Sequence, residues 1–262
     1  MKLGRIRPRL ARLLGPSEVT CTLFDGQRLR VVLPEIVATE LYLHGFIEPA
    51  LTRLLLDRLR PGMVFVDVGA QYGYFALLAS RLVGPSGRLV AFEAGREAAR
   101  LLRHNVGHID QVVVEQAAVT DRTGTARLLD FGPKQSALNT VLDAARVPPG
   151  ERARLRPQPY DVRTVSLDDY VAEHDLRPDF VKLDAEGAEL SILSGMRATL
   201  REFAPMVALE TGDYEGMASP PTTASIDLLE QMEYRPFDLD GGLRPHERRG
   251  NYGYGTLVFA RD

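Results

Sequence analysis

At 262 residues, 45% apolar and 26% charged, the chain can bury an α/β-sized core and is neither disordered nor fibrous in composition. A formal net charge of −3 excludes the global basic field that would point to nucleic acid. The lone Cys21 excludes an internal disulfide or a cysteine metal cluster and fits a reducing compartment, so a cytoplasmic location is expected.

Residues 1–14 are basic with interspersed apolar positions and lack the apolar core of a secretory signal. A short amphipathic helix capping the domain is expected there, with membrane attachment as the alternative. No stretch is apolar for long enough to span a bilayer as a helix. Residues 17–33 read as a β-hairpin around Asp25-Gly26. A helix is expected over roughly 37–59, ending near Pro61-Gly62. Residues 1–60 are too short for a core of their own and read as an extension of a domain spanning 61–262.

From residue 63 the pattern alternates. Strands are expected at 63–68, 88–92, 111–115, 179–183 and 205–210. Helices are expected at 73–83, 96–106, 189–202 and 222–232. Such alternation predicts a mostly parallel sheet with helices on both faces. The tail adds strands at 234–237 and 256–259, with an antiparallel strand at that edge. Residues 125–130 and 161–165 also alternate like strands. Between them, 131–160 is rich in Pro, Gly and Arg, and a loop of that length predicts a mobile lid inserted in the domain.

The most informative stretch is Val66-Asp-Val-Gly-Ala-Gln-Tyr-Gly-Tyr74, followed by Glu93 at the end of the next strand. Strand, glycine turn, helix, strand and acid form a nucleotide-binding half of a doubly wound sheet, with Glu93 placed to accept ribose hydroxyls. Asp67 decides which nucleotide. A carboxylate there repels a pyrophosphate but suits a cofactor bearing an ammonium and a sulfonium, as S-adenosylmethionine (SAM) does. Gln71 stands where a dinucleotide turn has its second glycine, and its Cβ crowds the approach of a pyrophosphate. The expected cofactor-binding residues are therefore Asp67, Gly69, Ala70, Gln71, Gly73 and Glu93.

A second cluster is Asp179-Phe-Val-Lys-Leu-Asp-Ala-Glu-Gly-Ala-Glu189. Asp184 and Glu186 leave a central strand at its carboxyl end, where ligands of open α/β sheets lie. Glu210 ends the next strand on the same rim. Acids also gather at strand ends and helix starts for capping and dipole reasons, and Glu189 fits that role. His104 and His108, four apart, read as surface residues because no third ligand accompanies them. Arg146, Arg152, Arg154 and Arg156 read as a solvated basic run, with an anionic substrate the minority alternative. Tyr252 and Tyr254 either line a substrate mouth or pack the edge.

These residues make the chain resemble the FkbM family of SAM-dependent methyltransferases over roughly 45–210. The resemblance rests on the glycine-turn block, Ala91-Phe-Glu, Asn105, Ala117-Ala-Val, Ser166-Leu-Asp-Asp-Tyr170 and Asp179–Leu190, the last being the most specific. The chain departs from it at Gln71, where the family has Asn, and at Ala94, where it has Pro. The resemblance implies a class I methyltransferase fold with a seven-stranded sheet, and O-methylation of sugar or natural-product hydroxyls. It places Gly69, Ala70 and Gly73 by the methionine part of SAM, Glu93 on the ribose and Gln116-Ala117 by the adenine. It also suggests that Glu48 closes over the cofactor, a helix-start acid being the alternative.

The expected activity is SAM-dependent O-methyl transfer to a small hydroxylated acceptor, leaving S-adenosylhomocysteine. Glu186 is the expected general base, and Asp184 orients the cofactor amine or the acceptor. No metal is expected, although Asp184, Glu186 and Glu210 together could hold Mg²⁺. No nucleic-acid partner is expected, and the oligomeric state is left open. The rivals are a nicotinamide-dependent oxidoreductase on the same scaffold and a non-catalytic SAM-binding domain.

Overall fold

The computed structural model describes residues 16–132, 135–136, 139–141, 155–213 and 220–261. The basic N-terminal stretch and most of the expected lid, with Arg146, Arg152 and Arg154, lie outside the described residues.

The chain opens with β1 (Ser17–Thr22) and β2 (Arg28–Leu33), an antiparallel hairpin. Its turn is closed by the Leu23 N–H on Gln27 O at 2.8 Å, and Gly26 takes φ 86°. Two helices follow, α1 (Ile36–His44) and α2 (Pro49–Arg58), where the sequence reading expected one over 37–59. The break is tertiary in origin. Gly45 adopts φ 76° and caps α1 through its N–H on Leu41 O. A Cβ at Gly45 would sit 3.0 Å from Phe24 N and Thr22 O, so the hairpin presses on this point. Pro49 then starts a new helix, where its missing N–H costs nothing.

Next come β3 (Val64–Val68), α3 (Tyr74–Val83), β4 (Arg88–Phe92), α4 (Arg96–Val106) and β5 (Val112–Glu115). Then follow β6 (Ala118–Val119), β7 (Gly124–Asp130), β8 (Thr140–Val141), β9 (Gln158–Val165) and α5 (Leu167–Glu173). The last part holds β10 (Phe180–Leu183), α6 (Glu189–Ser194), α7 (Arg197–Phe203), β11 (Met206–Thr211), α8 (Thr222–Gln231), β12 (Arg235–Leu239), β13 (Leu243–Pro245) and β14 (Gly255–Ala260).

The main sheet runs β13-β12-β14-β11-β10-β3-β4-β5. Strands β5, β4, β3, β10 and β11 are parallel, and β14 is antiparallel to both its neighbours. This is the expected class I methyltransferase sheet with one strand more than the expected seven. The extra strand, β13, comes from the Gly-rich connection between β12 and β14 and pairs only with β12. The two faces of the sheet have separate cores. Phe65, Leu89 and Phe180 pack toward α3, α4 and the N-terminal elements, while Val66, Val90 and Val181 pack toward α6, α7 and α8. Alternate residues of the same strands serve opposite faces, as the pleat requires.

A second, four-stranded sheet, β6-β9-β7-β8, stands beside the first. The strand signals at 125–130 and 161–165 were legible, but their pairing with each other was not. The expected helix over 189–202 is also two, α6 and α7. Gly195 interrupts it, because its carbonyl accepts from Asp168 N–H at 2.9 Å and a Cβ there would meet Thr120 O at 2.4 Å. The hairpin and α1 share the core of the main sheet. Asn105 on α4 ties them in, donating to Arg30 O and Tyr72 O and accepting from Arg30 N–H. No described helix is long and apolar enough to cross a membrane.

Candidate active site

The carboxyl ends of β3, β4, β5, β10 and β11 converge on one crevice. The turn after β3 reaches it because of Gly69. This residue has φ 76°, and a Cβ on it would lie 1.7 Å from Asp184 O. The turn therefore lies flat against the chain leaving β10, and no other residue type fits. Gly73, at φ 90°, gives the turn its close seat on α4, where a Cβ would meet Leu102 Cδ1 at 2.7 Å.

Four N–H groups of this turn are spent inside the chain. Gly69 and Ala70 both donate to Phe92 O at 3.0 Å, and Gly73 donates to Ala70 O at 2.7 Å. Gln71 N–H donates to Glu93 Oε2 at 2.9 Å, and Glu93 Oε1 accepts from Gly95 N–H at 2.7 Å. A pyrophosphate cradle needs such donors aimed at the ligand. Glu93 thus has a structural duty that sequence reading did not foresee: it staples the turn to the end of β4. A carboxylate offers about four acceptor positions, so room for hydroxyl donors remains. Glu93 N–H donates to Glu115 O at 3.0 Å, which brings Gln116 and the buried Ala117 to the same crevice. Gln116 accepts from Arg103 at 3.0 Å.

Asp67 is fully buried, and neither of its oxygens has a hydrogen-bond partner among the described residues. Among the described residues its near cation is Lys182 Nζ, 3.7 Å away, and that ammonium lies closer to Asp184, at 3.0 Å. Lys182 sits on β10 beside Asp67 in register, with its ammonium also over the Phe75 ring. Burial opposes its charge, but the carboxylates of Asp184, Asp67 and Glu48 outweigh burial and hold its pKa above the ordinary range. Burial pushes Asp67 up to about 6, against the pull of Lys182. Burial likewise pushes Glu93 up to about 7, despite its two backbone donors. Sequence reading assigned no role to Lys182, although a lysine inside an apolar strand was a signal that it is paired.

Asp184, Glu186 and Glu210 offer carboxylate oxygens within 4.8 Å of one another. The loop that carries Asp184 and Glu186 is fixed from two sides. Glu189 accepts from Ala185 N–H at 3.0 Å and from Gly187 N–H at 3.1 Å, and Thr140 Oγ1 donates to Glu186 O at 2.9 Å. Glu186 itself has φ 52°, a left-handed conformation that the loop imposes on a non-glycine residue. Glu48, also left-handed at φ 40°, makes no side-chain cap on α2. Its carboxylate instead reaches across to accept from Thr256 Oγ1 at 3.0 Å, at the rim of this cluster. His104 on α4 and His108 just beyond its end are both exposed, and the exposed Arg156 has φ 50°. Tyr252 is buried, with its hydroxyl on His246 Nε2 at 2.8 Å, whereas Tyr254 is 65% exposed.

A family model described as the methyltransferase FkbM domain matches residues 67–236. The chain belongs to the FkbM methyltransferase family. Its fold and family make it a class I, SAM-dependent methyltransferase. A 2-O-methyltransferase, NoeI, from Sinorhizobium fredii is 28% identical over 186 residues, 66% of this chain and 74% of that protein. The crystal structure of methyltransferase FkbM from Methylobacillus flagellatus has a TM-score of 0.46 and 16% identity. The comparison covers 85% of this chain but 52% of that one, so this chain spans about half its length. A SAM-dependent O-methyltransferase from Thermotoga maritima has a TM-score of 0.46 and 14% identity, over 94% of this chain and 78% of that one.

Within the FkbM span, the Ser166–Tyr170 block proves architectural. Ser166 caps α5 by accepting from Asp169 N–H, and Asp168 accepts from Ala198 and Thr199 at the start of α7. Glu48, Tyr254 and Thr256 reach the same crevice from outside the matched FkbM span.

Proposed function

We propose that this chain transfers a methyl group from SAM to a hydroxyl oxygen of a small acceptor of sugar or natural-product type. The observation that carries the reading is the turn after β3. The N–H groups of Gly69, Ala70, Gln71 and Gly73 are already engaged, and a buried carboxylate without a hydrogen bond stands beside them, so the site fits a cation better than a pyrophosphate. That favours SAM over a nicotinamide cofactor. The name of the S. fredii relative, a 2-O-methyltransferase, supports oxygen as the acceptor atom. The presence of Asp184, Glu186 and Glu210 on the acceptor side favours an enzyme over a binding-only domain.

In this reading Asp67 faces the ammonium of SAM, Glu93 holds the ribose hydroxyls, Gly69, Ala70, Gln71 and Gly73 shape the methionine side, and Gln116 and Ala117 border the adenine. When bound, SAM supplies an electrophilic methyl carbon next to a sulfonium. The chain's own contribution is alignment and proton removal. Asp184, steadied by Lys182, orients the cofactor amine or the acceptor, and Glu186 takes the hydroxyl proton on its carboxylate. Mg²⁺ at Asp184, Glu186 and Glu210 is the less favoured arrangement, because an ammonium already neutralises Asp184 at 3.0 Å.

Calorimetry tests the cofactor assignment. SAM and S-adenosylhomocysteine should bind and NAD(H) should not. Glu93→Ala should cost about 1.5–3 kcal/mol of SAM affinity, the scale of hydrogen bonds to a charged group. Binding of NAD(H), or unchanged SAM affinity in Glu93→Ala, contradicts the assignment.

The same titrations should depend on pH. Folded Glu93 keeps a proton up to about pH 7, whereas its ordinary pKa is 4.5. The empty protein should therefore lose stability as pH rises from 4.5 toward about 7. SAM needs the ionised carboxylate, so its binding releases a proton in this window. Affinity at about pH 6 should be roughly tenfold weaker than at about pH 8. Buffers of different ionisation enthalpy measure the proton count directly, and proton uptake or a flat profile would count against this role of Glu93.

A further inference from the structure

A cleft of about 640 Å³ is bounded by Thr211, which follows Glu210 in β11, by β13 and by residues 252–257. It is of the size that takes a one- or two-ring ligand. Its inner end meets the proposed chemistry. Thr211 and Thr256 line it, Thr256 pairs in register with Glu210, and Thr256 Oγ1 holds Glu48. Tyr254 stands at this junction, just before β14 and outside the segment matched by the family model. It is the most exposed tyrosine of the described chain, at 65%, and presents an aromatic face among polar walls.

Each arginine of the described lining is paired. Arg249 pairs with Asp238 at 3.0 Å, Arg244 with Asp240 at 3.3 Å, and Arg248 with Asp227 and with Glu230 at 3.1 Å. No guanidinium of the described lining is left over for a phosphate or carboxylate. At the inner end, Asp184, Glu186 and Glu210 bring carboxylate oxygens within 4.8 Å of one another, an arrangement that disfavours a further anion.

Resting on the reading above, we propose that the acceptor enters this cleft as an uncharged hydroxylated ring, not as a phosphorylated or nucleotide-linked one, and that Tyr254 seats it. The tyrosine face covers the apolar side of the ring, and its hydroxyl acts as a hydrogen-bond donor at the entrance to the acids. The charges of Asp184, Glu210, Glu48 and Glu186 disfavour the phenolate, so the phenol keeps its proton. Tyr254 is thereby a positioning residue and leaves proton removal to a carboxylate. In a reaction sequence, methylation would come before any phosphate is added or after it has been lost.

The test starts from the S-adenosylhomocysteine complex, formed and verified by calorimetry, so that a failure of the cofactor reading is seen separately. Saturation-transfer NMR then probes methyl glycosides of glucose, galactose, mannose, fucose and rhamnose, against glucose 6-phosphate and glucosamine. A neutral glycoside should bind. Tyr254→Ala should weaken it about tenfold or more, with cofactor affinity unchanged, and Tyr254→Phe should retain most of it. Preference for the phosphate or the amine, binding of none of the glycosides, or no effect of Tyr254→Ala overturns the proposal.

Discussion

Glu186→Gln is expected to bind SAM as the parent chain does and to lose about 10²–10⁴ in turnover, the usual range for a general base. Two neighbouring groups at the proposed site are less suited to the role. Asp184 is engaged by Lys182 at 3.0 Å. Tyr254 keeps its proton. Glu186 sits on a loop braced by Glu189 and Thr140, which fixes its position beside Asp184 and Glu210. The substitution to Gln keeps shape and removes basicity. Single-turnover rates in the presence of EDTA separate this reading from the metal alternative. Full activity of Glu186→Gln removes the base assignment, and activity abolished by EDTA and restored by Mg²⁺ favours a metal at the three acids.

Lys182→Met is expected to destabilise the fold by about 3–5 kcal/mol, the cost of leaving buried charge uncompensated. Lys182 is 3% exposed, and its ammonium is the cation shared by Asp67, which is fully buried, and Asp184. Methionine fills a similar volume, so lost packing contributes little. Adding Asp67→Asn should recover part of the loss, because one of the stranded carboxylates is then neutral. Urea unfolding of the single and double variants measures both terms. A loss below about 1 kcal/mol in Lys182→Met would show that the pair is no more than a surface-type bridge.

The nucleotide-binding unit was legible because it is local. A β-branched strand, a glycine turn and an acid one strand later lie within residues 64–93, and each has its own signature. The strand-end acids were legible for the same reason. What was not legible depends on residues far apart in sequence. The helices at 37–59 and 189–202 break because Gly45 meets the hairpin and Gly195 meets Thr120. The β7–β9 pairing joins strands separated by the long 131–160 stretch, and β13 is a three-residue strand too short to show a period. Glu93 was read as a ribose ligand, but its staple on Gln71 and Gly95 needs the turn folded back onto β4. The reach of Glu48 to Thr256 crosses 208 residues and has no local trace.

The central claim is methyl transfer from SAM to oxygen of a small molecule, and the most direct measurement follows the methyl carbon. The chain is incubated with SAM labelled with ¹³C in the methyl group and with the low-molecular-mass fraction of its host, and the products are resolved by NMR. The account predicts a labelled methoxy carbon on a small hydroxylated compound, stable to mild base as an ether is. Label on nitrogen, on carbon or on a macromolecule, or no transfer by protein shown to bind SAM, would contradict it.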